Sequence, residues 1–184
     1  MISIVKKIKF WISCNRLGPD IPLTHLLLHS SRLGKVLCKR KFKKFGDNSS
    51  FRPFAYAIET QKISIGSNVV IRPGTMLFAS PLEGGGDVHI DISDDVLIGS
   101  GVNIYVSNHT YTDMSKPISL QGHSEILPVK LQRGCWIGAN VTILPGVTIG
   151  ENSVIGANSL VTKSIPAFHV AVGNPAKVIK KLNE

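Results

Sequence analysis

Aliphatic residues recur at every sixth position in three blocks of the chain, and each block keeps one phase. A second small or β-branched residue follows many of them four positions later, as at Val69, Val102 and Val141, and Gly, Asn or Asp fills the gaps. The aliphatic positions are Ile65, Ile71 and Leu77 in the first block, Ile92, Ile98 and Ile104 in the second, and Leu131, Ile137, Ile143, Ile149, Ile155 and Val161 in the third.

A period of six matches neither an α-helix nor a simple two-residue alternation. It fits short strands joined by tight turns whose corners take Gly or Asn at positive φ. Three hexads close one coil, and stacked coils bury a continuous aliphatic column while the backbone pairs in parallel ladders. A β-sandwich would not keep one phase from Leu131 to Val161. We therefore predict an all-β solenoid, a parallel β-helix of hexapeptide repeats shaped as a triangular prism.

Three segments lie outside this phase and divide the chain. Residues 1–50 carry apolar stretches among basic residues, which predicts an N-terminal helical cap, and residues 51–168 form the β-helix. The segment 107–128 leaves the phase between two regular blocks, so we expect it to loop out from the prism wall. Residues 169–184 are expected to form a C-terminal cap with a short helix after Pro175, because a solenoid must cover its open sheet edges.

The net charge comes mainly from the N-terminal region. The chain has 184 residues, with 21 Lys and Arg against 12 Asp and Glu. Lys6, Lys7 and Lys9 lie among apolar residues from Ile2 to Ile12, which predicts a helix that packs on the protein or lies on an anionic bilayer surface. No nucleic-acid-binding motif accompanies the charge. Without a run of about 18 apolar residues or a secretory leader, we expect a cytoplasmic protein, with peripheral contact at the inner membrane as the alternative.

Two stretches resemble the hexapeptide-repeat acyltransferases, and within them the sugar and polysaccharide O-acetyltransferases of the maltose, galactoside and colanic-acid or O-antigen type. CWIGANVTILPGVTIG, from Cys135 to Gly150, is similar to the central motif of the family, and the tail from Val154 to Lys177 is similar to its C-terminal motif. The resemblance covers roughly residues 60–184. It implies a left-handed β-helix, a homotrimer with active sites in the grooves between neighbouring prisms, and acetyl-coenzyme A as co-substrate with no metal required.

The resemblance also implies a catalytic base. Ser107-Asn108-His109, followed by Asp113, matches the polysaccharide branch, which makes His109 the predicted general base. An alcohol is a poor nucleophile near neutral pH, so a group such as imidazole must remove its proton during attack. Glu125 resembles the family carboxylate that orients this ring, and Asp113 is the rival for that role or binds sugar hydroxyls.

Further positions are assigned to the two substrates. Asn103 is expected opposite the base, and His123 binds the acceptor or serves as the alternative base. The backbone amide of Gly138 or Ala139 would stabilise the oxyanion, although small residues at Ala139 and Ala157 also suit a tight corner. Coenzyme A is expected along the groove, with its phosphates near C-terminal cations. The positions matched to it are Gly138, Ala139, Ala157, Thr162, Lys163, Lys177 and Lys180.

The sequence thus predicts an O-acetyltransferase that modifies a sugar in an O-antigen, capsule or exopolysaccharide precursor. A free sugar or a small xenobiotic is the alternative acceptor, and a non-catalytic structural β-helix subunit is the alternative of another class. A zinc hydratase on the same prism would need a His-x4-His pair, which the sequence lacks. Cys14, Cys38 and Cys135 have neither metal-ligand nor disulfide-framework spacing, so we expect reduced thiols.

Overall fold

Three helices precede the solenoid in the computed structural model, which describes residues 3–183. They are α1 (Ile4–Ser13), α2 (Pro22–Leu27) and α3 (Ser31–Lys41). Each start has a local cause, since the hydroxyls of Ser3 and Ser30 accept N–H bonds at the first turns of α1 and α3, and Pro22 opens α2. α1 lies against α2, and α3 packs on the first two strands of the parallel ladders. Ile2, part of the predicted amphipathic segment, lies outside the described residues.

The rest of the described chain forms short strands that follow the hexad phase. They are β1 (Arg16–Leu17), β2 (Lys44–Phe45), β3 (Ser50–Phe51), β4 (Tyr56–Ile58), β5 (Ile63–Ile65), β6 (Val70–Ile71), β7 (Met76–Phe78), β8 (Ile90–Ile92), β9 (Leu97–Ile98), β10 (Asn103–Tyr105), β11 (Val129–Leu131), β12 (Trp136–Ile137), β13 (Thr142–Ile143), β14 (Thr148–Ile149), β15 (Val154–Ile155), β16 (Leu160–Val161), β17 (His169–Gly173) and β18 (Ala176–Lys181). Single 3-10 turns occur at Thr60–Lys62 and Ile118–Leu120.

The strands form three walls. Sheet I has the order β1-β4-β7-β10-β13-β16, and sheet II has the order β2-β5-β8-β11-β14. Sheet III contains β9-β12-β15-β17-β18, and the pair β3-β6 extends the same wall because β6 lies against β9. All pairs are parallel except β1 with β4 and β17 with β18. The parallel ladder begins at Lys44 in β2, so the first coil starts somewhat before residue 51, the start predicted for the β-helix.

The core is the column that the hexads predict. All twelve aliphatic positions are at most 4% exposed, and Leu131, Ile137 and Ile143 each stack on the residue three hexads later. The small or β-branched positions that follow them, such as Val141, are buried as well. Burying each large aliphatic side chain stabilises the fold by about 1.5–3 kcal/mol. The prediction of stacked hexads in parallel sheets is therefore confirmed.

Corners joining the walls use residues at positive φ, and two corners matter for function. The corner from sheet III to sheet I, called corner III–I, has Gly101, Asn140 and Asn158 at φ of 71°, 57° and 60°. The corner from sheet I to sheet II, called corner I–II, carries two excursions: residues 79–89 between β7 and β8, and residues 106–128 between β10 and β11. Long chain segments therefore leave the prism at only one of these two corners.

The longer excursion rests on the shorter one. Ile126 is buried against Gly85, where a Cβ atom would lie 2.5 Å from the Ile126 Cγ2 atom. His89 holds the shorter excursion, because its Nδ1 accepts the Ser80 N–H at 3.2 Å and its Nε2 lies 3.0 Å from the Gly84 carbonyl oxygen. Burial lowers the pKa of His89, so the ring is neutral near pH 7. This histidine is a structural support for the loop that carries His109.

The short C-terminal helix predicted after Pro175 is wrong. Residues His169–Gly173 continue sheet III by pairing in parallel with β15, and Ala176–Lys181 folds back antiparallel as β18. Gly173, at φ of 103°, allows the tight reversal. The β-branched Val178 and Ile179 suit a strand, and β18 satisfies the backbone groups at the free edge of β17. The end of the solenoid is thus covered by a hairpin.

Candidate active site

The excursion 106–128 closes through an antiparallel neck that brings two histidines together. The Ser124 N–H donates to the Asn108 carbonyl oxygen at 2.8 Å, and the Asn108 N–H donates to the Ser124 hydroxyl oxygen at 3.0 Å. This pairing sets His109 opposite His123, with ring centroids 4.4 Å apart and ring planes 34° apart. Both imidazoles are exposed. The predicted base and its alternative therefore lie side by side at the mouth of the loop.

Glu125 follows His123 by two residues, on the arm of the neck that returns to β11. Its side chain is exposed, and its carboxylate forms no ion pair within residues 3–183. No hydrogen bond joins Glu125 to His109 in the described chain. Glu125 is therefore an uncommitted acid that is close in sequence to His123.

Asp113, the rival carboxylate, is engaged in a local turn. It accepts bonds from the Ser115 hydroxyl at 2.6 Å and the Ser115 N–H at 3.0 Å, and it pairs with Lys116 at 3.0 Å. The hydrogen bonds from Ser115 and Lys116 lower the pKa of Asp113. Its oxygens thus shape the tip of the excursion, and orienting an imidazole would require breaking these contacts.

A groove of about 720 Å³ runs along the outer side of sheet III and ends at corner III–I. Gly138, Ala139 and Ala157, three of the positions matched to coenzyme A, line it together. Its floor is apolar, because Leu97 and Trp136 stack in register on the outer face of this sheet. Its volume is typical of small-molecule sites, which span about 300–1,000 Å³.

Backbone amides at this corner differ in availability. The Gly138 N–H donates to the Ile155 carbonyl oxygen at 2.8 Å as part of the coil ladder. The Ala139 N–H has no acceptor within residues 3–183 and lies in the wall of the groove. Of the two amides predicted to stabilise an oxyanion, Gly138 is therefore already committed, and Ala139 is the donor that remains.

The remaining residues predicted to bind coenzyme A or the acceptor lie in different parts of the prism. Lys177 and Lys180 are exposed on β18, at the C-terminal end of sheet III, beyond the groove. Thr162 and Lys163 are exposed after β16, at corner I–II, which is the corner of the His109 loop. Asn103 lies on the outer face of β10, where its amide donates to the Gly101 carbonyl oxygen at 3.0 Å, at the opposite end of that strand from the loop.

Within one chain, the loop and the groove therefore belong to different corners of the prism. His109, His123 and Glu125 leave from corner I–II, whereas Gly138, Ala139 and Ala157 lie at corner III–I. Sheet I separates the two, because the chain runs through it from one corner to the other.

Three residues of the groove and its adjoining cavity have no role among the sequence predictions. The Trp136 side chain is 53% exposed and lines the groove floor. Arg72 lines the same groove, and Arg52 lines the cavity that adjoins it. The indication in the sequence was positional, since both arginines directly follow an inward-facing residue of a coil, where later coils have glycine.

No metal centre occurs among the described residues, where no three His, Cys, Asp or Glu side chains cluster in a ligating arrangement. Burial raises the pKa of both Cys38 and Cys135 to about 12, so these thiols are protonated near neutral pH. Between residues 3 and 183, every helix is too short or too polar to cross a bilayer.

Comparison with known proteins gives consistent matches. Residues 128–163 match the family described as bacterial transferase hexapeptide (six repeats). The chain is 38% identical over 158 residues to the galactoside O-acetyltransferase of Escherichia coli K12, which covers 85% of this chain and 73% of the relative. A solved galactoside acetyltransferase in complex with coenzyme A superposes with a TM-score of 0.74 and 28% identity, covering 100% of this chain and 92% of that one.

A maltose O-acetyltransferase from Clostridium difficile 630 has a similar fold, with a TM-score of 0.72 and 28% identity over 97% of this chain and 98% of that one. The similarity to these structures implies that the stacked parallel coils form a left-handed β-helix. Sequence identity, coverage and fold agree along nearly the whole chain. The chain therefore belongs to the hexapeptide-repeat acyltransferase family, in its branch of sugar O-acetyltransferases.

Proposed function

We propose that this protein transfers the acetyl group of acetyl-coenzyme A to a hydroxyl of a sugar. The observation that carries the proposal is the groove at corner III–I, where an apolar floor, close-packed glycine corners and the unpaired Ala139 N–H lie together. An apolar groove of this volume fits a pantetheine arm, and the exposed Lys177 and Lys180 lie beyond its end, where they would meet phosphates. The galactoside and maltose acetyltransferases similar to this chain support a sugar as acceptor.

His109 would act as the general base. Its exposed ring would accept the acceptor hydroxyl proton while the hydroxyl oxygen attacks the thioester carbonyl carbon. The Ala139 N–H would donate to the carbonyl oxygen as it gains negative charge. The proton then passes to the departing thiolate, which leaves as the free thiol of coenzyme A. A positioned base of this kind contributes about 10²–10⁴-fold to the rate.

Glu125 would orient the base. An acceptor on one imidazole nitrogen fixes the tautomer and leaves the other nitrogen to face the hydroxyl. The Glu125 carboxylate forms no ion pair within residues 3–183, whereas Asp113 is held by Ser115 and Lys116. His123, packed beside His109, and Asn103 would contribute to binding the acceptor.

We infer a homotrimer with each active site shared between two copies. The groups proposed for base and donor binding belong to different corners of one prism, so the loop of one chain must reach the groove of the next. Thr162 and Lys163, which share the corner of the His109 loop, would then extend toward coenzyme A bound along the neighbouring copy. A ring of three copies closes such a head-to-tail arrangement.

A surface-polysaccharide precursor is our proposed acceptor, supported by the similarity of the segment from Ser107 to Asp113 to the polysaccharide branch of the family. The reaction would take place in the cytoplasm, where acetyl-coenzyme A is made.

The direct test of the proposed activity is acetyl-coenzyme A turnover with a panel of sugars, read as free thiol and as the mass of the acetylated sugar. Thiol release that depends on a sugar and yields a product heavier by one acetyl group supports the function. A groove that binds coenzyme A without any sugar-dependent release would favour the non-catalytic alternative.

Helix α1 would hold the protein at an anionic membrane surface. Ile4, Ile8 and Ile12 lie on one face of α1, are exposed and have no cover within residues 3–183. Lys6 lies opposite this face of the helix, and Lys7 and Lys9 flank it. This combination of an uncovered apolar face and cations suits an interfacial helix.

Sedimentation with vesicles measures this contact. We expect the protein to pellet with vesicles that contain phosphatidylserine and much less with neutral vesicles. Changing Lys6, Lys7 and Lys9 together to Glu should lower the bound fraction about tenfold or more, because each cation near the surface contributes about 1 kcal/mol. Equal binding by the variant, or binding that ignores vesicle charge, would contradict an electrostatic contact.

A further inference from the structure

The groove continues toward the N-terminal end of the prism, and its chemistry changes there. Val70 and Arg72 line both the 720 Å³ groove and an adjoining cavity of about 600 Å³. His29, Arg52, Pro53 and Val70 join that cavity to a third one of about 630 Å³ beside α3. The three cavities therefore form one continuous furrow on the outer side of sheet III, under the start of the helices.

Arg52 and Arg72 occupy one structural position in successive coils. β3 pairs with β6 in parallel register, which sets Arg52 beside Arg72, the residues directly after each strand. Gly74 stacks on Gly101, so Arg72, two residues before Gly74, aligns with Gly99 in the next coil. The later coils continue this column with Gly138 and Gly156. In coil order, the column consists of Arg52, Arg72, Gly99, Gly138 and Gly156.

Close packing explains the glycines. A Cβ atom at Gly99 would lie 2.5 Å from the Ala139 nitrogen, and a Cβ atom at Gly138 would lie 2.5 Å from the Ala157 nitrogen. The column therefore exposes different chemical groups along the furrow. At the glycine positions it exposes only backbone atoms, and toward the N-terminal end it exposes two guanidinium groups.

These guanidinium groups have no acidic partner. Neither Arg52 nor Arg72 forms an ion pair with any described residue, whereas Arg16 and Arg133 do. None of the side chains lining the three cavities is Asp or Glu. Both arginines are exposed to solvent in the furrow. Two neighbouring arginines without carboxylates present paired donors whose geometry matches a phosphate or a carboxylate.

We propose that Arg52 and Arg72 bind an oxyanion of the acceptor, so that the acetylated sugar carries a phosphate or a carboxylate. The proposal rests on the proposed acetyl transfer, because it assigns the acceptor end of the same furrow. Acetyl-coenzyme A takes the bare stretch from Gly99 to Ala157, with its phosphates toward Lys177 on β18. The arginines lie at the opposite end, where the acceptor enters. An anionic sugar, such as a sugar phosphate or a uronic acid, is then preferred over a neutral one.

Acceptor kinetics test this assignment with glucose, glucose 1-phosphate, UDP-glucose and glucuronate. The double variant Arg52→Gln, Arg72→Gln should raise KM for the anionic acceptors about 10–100-fold, because charge-assisted hydrogen bonds contribute about 1.5–3 kcal/mol. KM for glucose and for acetyl-coenzyme A should change by less than about twofold. Arg133→Gln is the matched control, since Arg133 lies outside the furrow and pairs with Asp95. Comparing the phosphate-bearing acceptors with glucuronate shows which oxyanion the two arginines bind.

Equilibrium binding separates this proposal from the proposed activity. Calorimetric titration of glucose 1-phosphate and glucuronate needs no turnover, so it reports on the arginines even if no sugar is acetylated. Binding of at least one anion by the wild type that is lost in the double variant supports the site. Three results overturn it: no anion binding by the wild type, equal loss for glucose and the anions, or a rise in KM for acetyl-coenzyme A.

Discussion

Replacing His109 with alanine is expected to lower kcat for acetyl transfer by about 100-fold or more, the loss typical of removing a positioned general base. KM for acetyl-coenzyme A should stay within about twofold, because the proposed role of the imidazole is to accept the acceptor proton and not to hold the donor. Thiol release from acetyl-coenzyme A, followed in the presence of a sugar that the wild type acetylates, measures both constants. The thermal unfolding midpoint should be unchanged, since the imidazole is exposed.

His123→Ala is the matched control for this measurement. The two rings are neighbours with centroids 4.4 Å apart, both exposed and on the same neck, so a nonspecific disturbance of the loop would affect both variants alike. We expect His123→Ala to raise KM for the acceptor more than it lowers kcat. Full activity of His109→Ala together with a lost kcat in His123→Ala would instead make His123 the base.

Filling the groove with Ala157→Trp is expected to raise KM for acetyl-coenzyme A by more than tenfold. Ala157 is exposed in the groove wall, so an indole ring there would occupy the space of the donor without entering the core. Steady-state kinetics with varied acetyl-coenzyme A, and calorimetric binding of coenzyme A, measure the effect.

Ala157→Ser keeps the side chain small and serves as the control for this substitution. It should bind coenzyme A as the wild type does. Undiminished coenzyme A binding by Ala157→Trp, with its unfolding midpoint intact, would show that the donor binds elsewhere.

The solenoid body could be predicted from the sequence because the six-residue repeat determines which side chains face the core. Each inward position, such as Ile137 or Ile143, has to stack on the residue three hexads later, so period and phase suffice to define the core and the register. The same pattern marked where the chain leaves the wall. Residues 106–128 lie between β10 and β11 in the structure.

The interior of that excursion could not be predicted, because it has no period. The pairing of His109 with His123 depends on the bonds between Asn108 and Ser124, which no spacing in the sequence encodes. The C-terminal error has a similar cause. The segment Ala176–Lys181 lacks the hexad phase, and a strand is favoured there by the open edge of β17 together with the β-branched Val178 and Ile179.

The arginine column was hidden for a different reason. Excursions of unequal length at residues 79–89 and 106–128 shift the phase between coils, so Arg72 and Gly99 do not stand a fixed number of residues from Gly138. The sequence shows that each arginine follows an inward-facing residue, and the register of β6 against its neighbours then places Arg52 and Arg72 in line with the glycines. Likewise, the division of the predicted site between two corners follows from the order of the walls, which the sequence alone leaves open.

Activity of a mixture of His109→Ala and Ala157→Trp chains, assayed at an acetyl-coenzyme A concentration too low for Ala157→Trp to turn over, tests the shared active site most directly. His109→Ala chains keep an intact groove and Ala157→Trp chains keep an intact base, so mixed trimers formed by joint refolding combine the two at some interfaces. At equal proportions, about a quarter of the sites should pair a competent loop with a competent groove, and sugar-dependent thiol release should recover toward that fraction of the wild-type rate. A mixture that stays as inactive as its two parents would contradict a site built from two copies.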